Sequence, residues 1–144
     1  MTGKRVLALD VGNKRIGVAY SDPLGISANP LPFIENNEKV FEKIKNLIDE
    51  YDIGKVVIGL PLTLKGEEGE QAKITRAFAE KLKEYIPDIQ IEFIDEGFTT
   101  SLAEQHLRET TKKSKRKKKV DSLAAVYILK TYLDQQQFRN GQSF

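Results

Sequence analysis

The chain has 144 residues, of which 23 are lysine or arginine and 21 are aspartate or glutamate, so its net charge is only +2. It contains no cysteine and a single histidine, which excludes a disulfide framework and a thiolate metal site. Because its apolar runs are too short for a signal peptide or a membrane-spanning helix, we expect a cytoplasmic protein with no membrane partner and one domain over residues 1–144.

The basic residues are concentrated in one segment. Residues 112–119, KKSKRKKK, hold seven of the 23 lysines and arginines, so the rest of the chain has 16 basic residues against 21 acidic ones. An acidic body with one basic segment favours a local contact with a polyanion. A basic run by itself is equally typical of a solvated loop.

The first part of the chain predicts three strands. Apolar residues 6–9 indicate a strand buried on both faces, which ends at Asp10. Gly12–Lys14 is a short turn, in which glycine lets the chain bend sharply beside Asp10, and Arg15–Ser21 is the predicted hairpin partner. Two prolines within residues 26–35 place a third extended segment at a sheet edge.

The rest of the chain alternates between helices and strands. Gly54 lies just past the predicted end of the first of these helices, and Pro87 terminates the second. An antiparallel meander followed by such alternation predicts one α/β domain, with a mixed sheet and helices on both faces. The predicted elements are helices over residues 40–51, 72–85, 101–108 and 120–133 and strands over residues 55–60 and 89–95.

Acidic residues stand at the ends of predicted elements. Asp10 closes the first strand, at the kind of strand end where ligands bind in open α/β sheets. Asp95 and Glu96 close the last strand, and alternation alone leaves open which of them faces the site. Asp121 starts the last helix at the edge of its apolar stripe. Each also has an ordinary explanation, as a turn acid, a solvated strand end or an acid that interacts with the helix dipole.

Together these acids favour a site for a hard cation. Carboxylate ligands without cysteine suit Mg²⁺ or Mn²⁺ better than zinc. Two such ions about 3.5–4 Å apart can stabilise both oxygens exchanged when a phosphodiester is hydrolysed. Because a carboxylate cluster repels a phosphate chain, a basic element such as residues 112–119 would have to help hold the substrate.

Four motifs follow one another along nearly the whole chain: LALDVGNKRIGVAYSD, VVIGLPLTLKGEEGEQ, FIDEGFTTSLAE and KKVDSLAAVYILKTYL. In this combination the chain resembles the YqgF family, whose members are similar to Holliday junction resolvases and are also described as pre-16S rRNA nucleases. The resemblance implies a ribonuclease H-like fold and a metal-dependent nuclease that processes the 16S rRNA precursor in ribosome biogenesis.

The resemblance also implies which residues form the site. It assigns Asp10, Glu96 and Asp121 as the catalytic residues and as the ligands of two Mg²⁺ or Mn²⁺ ions, and so selects Glu96 over Asp95. The family usually has an arginine where this chain has Gly97. If that arginine contacts the scissile phosphate in the family, its absence here affects turnover or substrate preference. The predicted substrate contacts, some of which could replace that arginine, are Arg15, Thr99, Thr100, Arg116, Lys118 and Lys119.

Three alternative functions follow from the same residues. A four-way DNA junction would use the same ions and carboxylates, but no long apolar surface helix indicates the dimer that junction cleavage generally requires. We therefore expect structured RNA as the partner, bound by a monomer or weak homodimer. Gly97 favours a second alternative, a non-catalytic RNA-binding module. A nucleotide-binding protein of the actin and sugar-kinase type is disfavoured, since that fold needs two domains.

Overall fold

A computed structural model of the chain describes residues 5–63, 65–95 and 122–141. Within them, five strands form one mixed sheet in the order β3-β2-β1-β4-β5, and three helices accompany it. The elements in chain order are β1 (Arg5–Val11), β2 (Arg15–Ser21), β3 (Ala28–Glu35), α1 (Val40–Glu50), β4 (Ile53–Leu60), α2 (Glu70–Tyr85), β5 (Gln90–Asp95) and α3 (Leu123–Gly141).

The strand β1 lies at the centre of the sheet. It pairs antiparallel with β2 and parallel with β4, while β3 and β5 form the two edges. The predicted meander of β1, β2 and β3 is therefore confirmed. Pro30 and Pro32 lie in β3, where an edge strand tolerates residues that lack a backbone N–H.

Helices cover both faces of the sheet, as predicted. Leu9 on β1 belongs to a buried cluster with Ile44 of α1, on the face that α1 and α2 cover. Ala8, its neighbour, belongs to the cluster on the other face, where it joins Leu129 of α3. Because successive side chains of a strand point to opposite faces, alternation decides which residues meet α3.

The first helix ends at Glu50, within one residue of the predicted end, and Gly54 lies beyond it as predicted. Gly54 lies within β4, and the positive φ of 55° belongs to Asp52 instead. Aspartate tolerates the left-handed conformation better than most residues, because its short side chain bonds locally. The short helix predicted over residues 101–108 lies outside the described residues.

The last helix also has different bounds from those predicted. It begins at Leu123 and extends to Gly141, whereas the pattern predicted a helix over residues 120–133. Ser122 has a left-handed φ of 66°, which is incompatible with a right-handed helix. The predicted position of Asp121 on the apolar stripe lies outside the described residues and stays a prediction.

A polar cluster fixes the middle of α3 against the sheet. Lys55 of β4 donates hydrogen bonds of 3.0 Å to the Tyr132 hydroxyl of α3 and of 3.0 Å to the Glu92 carboxylate of β5. The bond to Tyr132 is the main cause that raises the pKa of Lys55, with a smaller contribution from Glu92. Both interactions favour the charged ammonium, so the cluster persists at neutral pH.

The helices carry no sign of a bilayer crossing. Among those in residues 5–63, 65–95 and 122–141, none combines the length and apolar character that such a crossing requires.

Candidate active site

Asp10 stands near the carboxyl end of the central strand. It lies opposite Gly17 of β2, and alternation places it on the α3 face together with Ala8. Its side chain is half-buried, whereas Leu7, Ala8 and Leu9 before it are fully buried. The predicted strand-end carboxylate is therefore present, on a backbone that pairs with β2 at this residue and with β4 up to the preceding residue, Leu9.

Side chains from other elements hold the chain immediately after Asp10. The carbonyl of Val11 accepts a hydrogen bond of 3.3 Å from the Gln71 amide of α2. The carbonyl of Gly12 accepts one of 2.9 Å from Asn36, and the Gly12 N–H donates to the Arg15 carbonyl at 3.0 Å. The turn beside the carboxylate is thus anchored to α2 and to the segment after β3.

The start of α3 lies against the same part of β2. A Cβ atom added at Gly17 would stand 3.4 Å from the Asp10 Cβ and 3.3 Å from the Ser122 Cα. The backbone at residue 122 is therefore close to Asp10 across a position that has no side chain.

The end of β5 gives the face of Asp95, one of the two candidate acids that alternation left open. Ile94 belongs to the buried cluster on the α3 face, whereas Phe93 packs against the cluster on the α1 and α2 face. Asp95 shares the side of Phe93, and its charge is one of the smaller causes that raise the pKa of Arg76 of α2, after the hydrogen bonds from Arg76 to Glu68. Asp95 therefore lies on the opposite face from Asp10.

Arg15 lies on the same face as Asp10, at the first position of β2. Its guanidinium carbon stands 5.0 Å from the centre of the Phe33 ring of β3, in a cation–π contact. Arg15 is exposed, and none of the ion pairs within the described residues involves it. Sequence reasoning missed Phe33, because the irregular pairing of β2 with β3 that brings it under Arg15 has no clear signal in the pattern.

The loop after β4 is closed by its own contacts. The Thr63 N–H donates to the Glu67 carbonyl at 2.7 Å, and Leu62 forms a bridge with Glu68. Arg76 of α2 binds both carboxylate oxygens of Glu68, at 2.7 and 2.6 Å, and these bonds lower the pKa of Glu68. This loop stands at the carboxyl end of the parallel strands, and its Glu68 carboxylate is paired with Arg76.

The other predicted site residues lie outside the described residues. Within those that are described, no group of three or more histidine, cysteine, aspartate or glutamate side chains could hold a metal ion. Asp10 and Arg15 are the two predicted site residues whose positions the structure gives. The remaining ones are Glu96, Thr99, Thr100, Arg116, Lys118, Lys119 and Asp121, together with Gly97.

The chain is similar to known proteins both in sequence and in structure. Residues 4–135 match the model of the RuvX family, described as Holliday junction resolvase. The chain belongs to the RuvX family. A protein of Sulfurihydrogenibium sp. (strain YO3AOP1) named "Putative pre-16S rRNA nuclease" is 64% identical over 137 residues, or 94% of each chain. A protein of Fusobacterium nucleatum with the same name is 44% identical and covers 91% of this chain and 97% of the relative.

Solved structures give the fold of this RuvX-family chain. The fowlpox virus resolvase in complex with Holliday junction DNA has a TM-score of 0.57 at 10% identity, over 92% of this chain and 98% of that one. RuvC of T. thermophilus, also with a Holliday junction substrate, has a TM-score of 0.56 at 9% identity, over 92% and 95%. The predicted ribonuclease H-like mixed sheet is thereby confirmed, as is the resemblance to the YqgF family, another name for RuvX. The predicted class of enzyme, a nuclease, agrees with these names.

Proposed function

We propose that this chain is a divalent-metal-dependent nuclease that hydrolyses phosphodiester bonds in structured RNA, with the 16S rRNA precursor as its substrate in the cytoplasm. One observation carries the proposal: a half-buried carboxylate, Asp10, is fixed on the central strand beside the start of α3. The names of relatives at 64% and 44% identity support the same activity.

The proposed ligands are Asp10, Glu96 and Asp121. Continuing the alternation of β5 by one residue beyond Asp95 assigns Glu96 to the side of Ile94, which is the side of Asp10. Asp121 is joined by one peptide bond to Ser122, whose Cα is close to Asp10 across Gly17. Three carboxylates and no sulfur ligand suit Mg²⁺ or Mn²⁺ in chemical type.

The protein and the ions have separate tasks in this mechanism. When bound, two such ions supply Lewis acidity to the scissile phosphate and generate a strong nucleophile from water. Asp10, on its rigid strand, fixes where that positive charge stands relative to the substrate. Asp10 is half-buried, which strengthens the attraction of its carboxylate for a cation relative to bulk water.

Substrate binding in the proposal depends on basic residues near this face. We assign the Lys- and Arg-rich residues 112–119 to contacts with the phosphate backbone of the RNA. Thr99 and Thr100 are assigned as hydrogen-bonding groups for the same backbone. Arg15 has a specific argument, since its guanidinium lies over Phe33, is exposed and has no carboxylate partner in the described parts of the chain. Stacking on the ring orients the planar fork, so that less freedom is lost when it meets a phosphate.

Replacing Arg15 with alanine is expected to weaken RNA binding about fivefold to tenfold and to reduce its salt dependence by about one released ion. Phe33→Ala should have a smaller effect in the same direction, because the arginine remains but loses its platform. Fluorescence anisotropy with a labelled precursor-rRNA fragment, at several salt concentrations, measures both quantities.

Lys45→Ala is the matched control for Arg15. Lys45 lies on α1, on the other face of the sheet, and pairs with Asp49 at 3.1 Å. The Lys45→Ala substitution removes one positive charge from a surface to which the proposal assigns no RNA contact. If Lys45→Ala and Arg15→Ala weakened binding equally, Arg15 would have only a general electrostatic effect.

A four-way DNA junction is the second candidate substrate. The family description and the solved complexes of the fowlpox resolvase and RuvC with junction DNA favour it. Both substrates use the same ions, and contacts to shape and to the 2′-hydroxyl distinguish them. We propose RNA because the relatives with high identity carry the rRNA name, and we expect a monomer or weak homodimer.

A matched cleavage assay tests the proposal. The purified chain is incubated with a structured precursor-rRNA fragment and with a four-way DNA junction, each with Mg²⁺, Mn²⁺ or EDTA. Metal-dependent cutting of the RNA alone is the expected result. Cutting of the junction alone would keep the chemistry and overturn the assigned substrate. RNA binding without cutting of either substrate would favour the non-catalytic binding module.

A further inference from the structure

A serine side chain completes the hydrogen bonding between β2 and β3. The pairing of these strands shifts between Ile16, which faces Ile34, and Val18, which faces Leu31. At this irregularity the Ser122 hydroxyl accepts a hydrogen bond of 2.9 Å from the Val18 N–H and donates one of 2.6 Å to the Leu31 carbonyl. Ser122, the residue before α3, therefore bridges β2 and β3 at the irregularity in their pairing.

Ser122 is held in a conformation that serine seldom adopts. Its φ is 66°, in the left-handed region, and only 2% of the residue is exposed. Glycine would adopt this φ without strain, but it would leave two buried backbone groups without the hydroxyl that joins them. A strained backbone that surrounding contacts enforce is typical of positions with a functional constraint.

Gly17 provides the space for this arrangement. It lies opposite Asp10 within the irregular part of β2, and an added Cβ would stand 3.3 Å from the Ser122 Cα and 3.4 Å from the Asp10 Cβ. A third neighbour, the Ala125 Cβ, would be 3.7 Å away. A side chain at this position would therefore separate the start of α3 from the strand that carries Asp10.

We propose that Gly17 and Ser122 are positioning residues that hold the start of α3 against the strand of Asp10, and thereby set the affinity of the site for divalent ions. The inference rests on the proposed function, since it assigns Asp121 as a ligand. The hydroxyl of Ser122 fixes the peptide that follows Asp121 to the sheet, and Gly17 lets that peptide lie next to Asp10. Metal ligands must be held within about 0.5 Å of their working geometry, so a small displacement weakens the site.

Mn²⁺ alone is the probe that tests this inference, with its binding measured by calorimetry and by water-proton relaxation. Ser122→Ala is expected to weaken Mn²⁺ binding about tenfold, within the range that losing an orienting partner of a metal ligand causes. Ser122→Gly should weaken it comparably, because the hydroxyl is lost although the strain at φ 66° is relieved. Gly17→Ala should do the same with the hydroxyl intact.

Ser21→Ala is the matched control. The Ser21 hydroxyl is also fully buried and also joins backbone groups, accepting from the Val6 N–H at 2.9 Å and donating to the Asp22 carbonyl at 3.0 Å. Ser21 is the last residue of β2, whereas Asp10 of β1 lies opposite Gly17, near the start of β2. We expect this variant to lose stability like Ser122→Ala and to keep wild-type Mn²⁺ affinity.

The outcomes separate this inference from the proposed function. Equal Mn²⁺ affinity of the wild type and of all three variants at Gly17 and Ser122 would overturn the inference and leave the nuclease proposal intact. Equal weakening by Ser21→Ala would overturn it as well, since the effect would then follow stability alone. A wild-type chain that bound no Mn²⁺ and cut neither RNA nor junction DNA would overturn both.

Discussion

Replacing Asp10 with asparagine is expected to reduce metal-dependent cleavage by at least about 10³-fold, the upper end of the usual cost of removing one preorganised electrostatic group. The amide has nearly the same shape as the carboxylate but lacks its negative charge, so it binds Mg²⁺ or Mn²⁺ poorly. Because Asp10 stands near the carboxyl end of a strand that pairs with β2 at this residue and with β4 up to Leu9, the fold should persist, with a free energy of unfolding within about 1 kcal/mol of the wild type. Cleavage of the precursor-rRNA fragment and urea denaturation measure the two effects.

Asp95→Asn is the matched control for this prediction. It makes the same chemical change, also at the carboxyl end of a strand of this sheet, but on the face that carries Arg76. We expect cleavage within about twofold of the wild type. A loss in Asp95→Asn as large as in Asp10→Asn would mean that the effect comes from the sheet edge in general. Wild-type cleavage by Asp10→Asn would remove Asp10 from the mechanism.

The elements that the sequence predicted best are those with an unambiguous period. The alternation of residues 15–21 predicted β2 with the bounds that the structure has, and the prolines of β3 predicted its edge position. The apolar spacing predicted the end of the first helix to within one residue, but it did not indicate that Asp52, rather than Gly54, adopts the left-handed conformation after it. Local propensity could not distinguish the two, since aspartate and glycine both occupy that conformation.

The start of the last helix could not be predicted from its own residues. Its apolar pattern continues back through Val120, but the helix begins at Leu123 because Ser122 bonds to β2 and β3 rather than continuing the helix. Those partners lie 104 and 91 residues away in the chain. An interaction at such a separation leaves no periodic signal, and this is why the sequence did not indicate how the helix meets Asp10.

The candidate site was predictable in part. Asp10 could be selected because a carboxylate at the end of a buried strand is unusual, and its placement is as predicted. The choice between Asp95 and Glu96 needed the two faces of β5 to be assigned, which required knowing that Ile94 packs under α3 and Phe93 under α2. The structure excludes Asp95 from the face of Asp10, and Glu96 as a ligand stays a prediction.

Gly12→Ala is expected to lower cleavage at saturating metal and substrate about tenfold and to destabilise the fold by about 1–3 kcal/mol. Gly12 does not have a positive φ, so the reason for glycine is not the sharp bend that the sequence suggested. A Cβ at this position would stand 2.6 Å from the Arg15 carbonyl oxygen, which also accepts the Gly12 N–H. The backbone must shift to relieve this overlap, and Asp10 is two residues away on the same strand end.

Gly25→Ala distinguishes a local displacement of Asp10 from a general loss of stability. Gly25 has a φ of 73° in the connection between β2 and β3, at the other end of β2 from the Gly12 turn, and the nearest atom to an added Cβ would be the Leu133 Cδ2 at 3.6 Å. Alanine there has room but is strained in the left-handed conformation, by about 1–2 kcal/mol. Cleavage per folded molecule should therefore stay at the wild-type level, with the folded fraction taken from urea denaturation. If Gly12→Ala and Gly25→Ala lost stability alike and both kept wild-type cleavage, the Gly12 turn would support the fold without positioning the carboxylate.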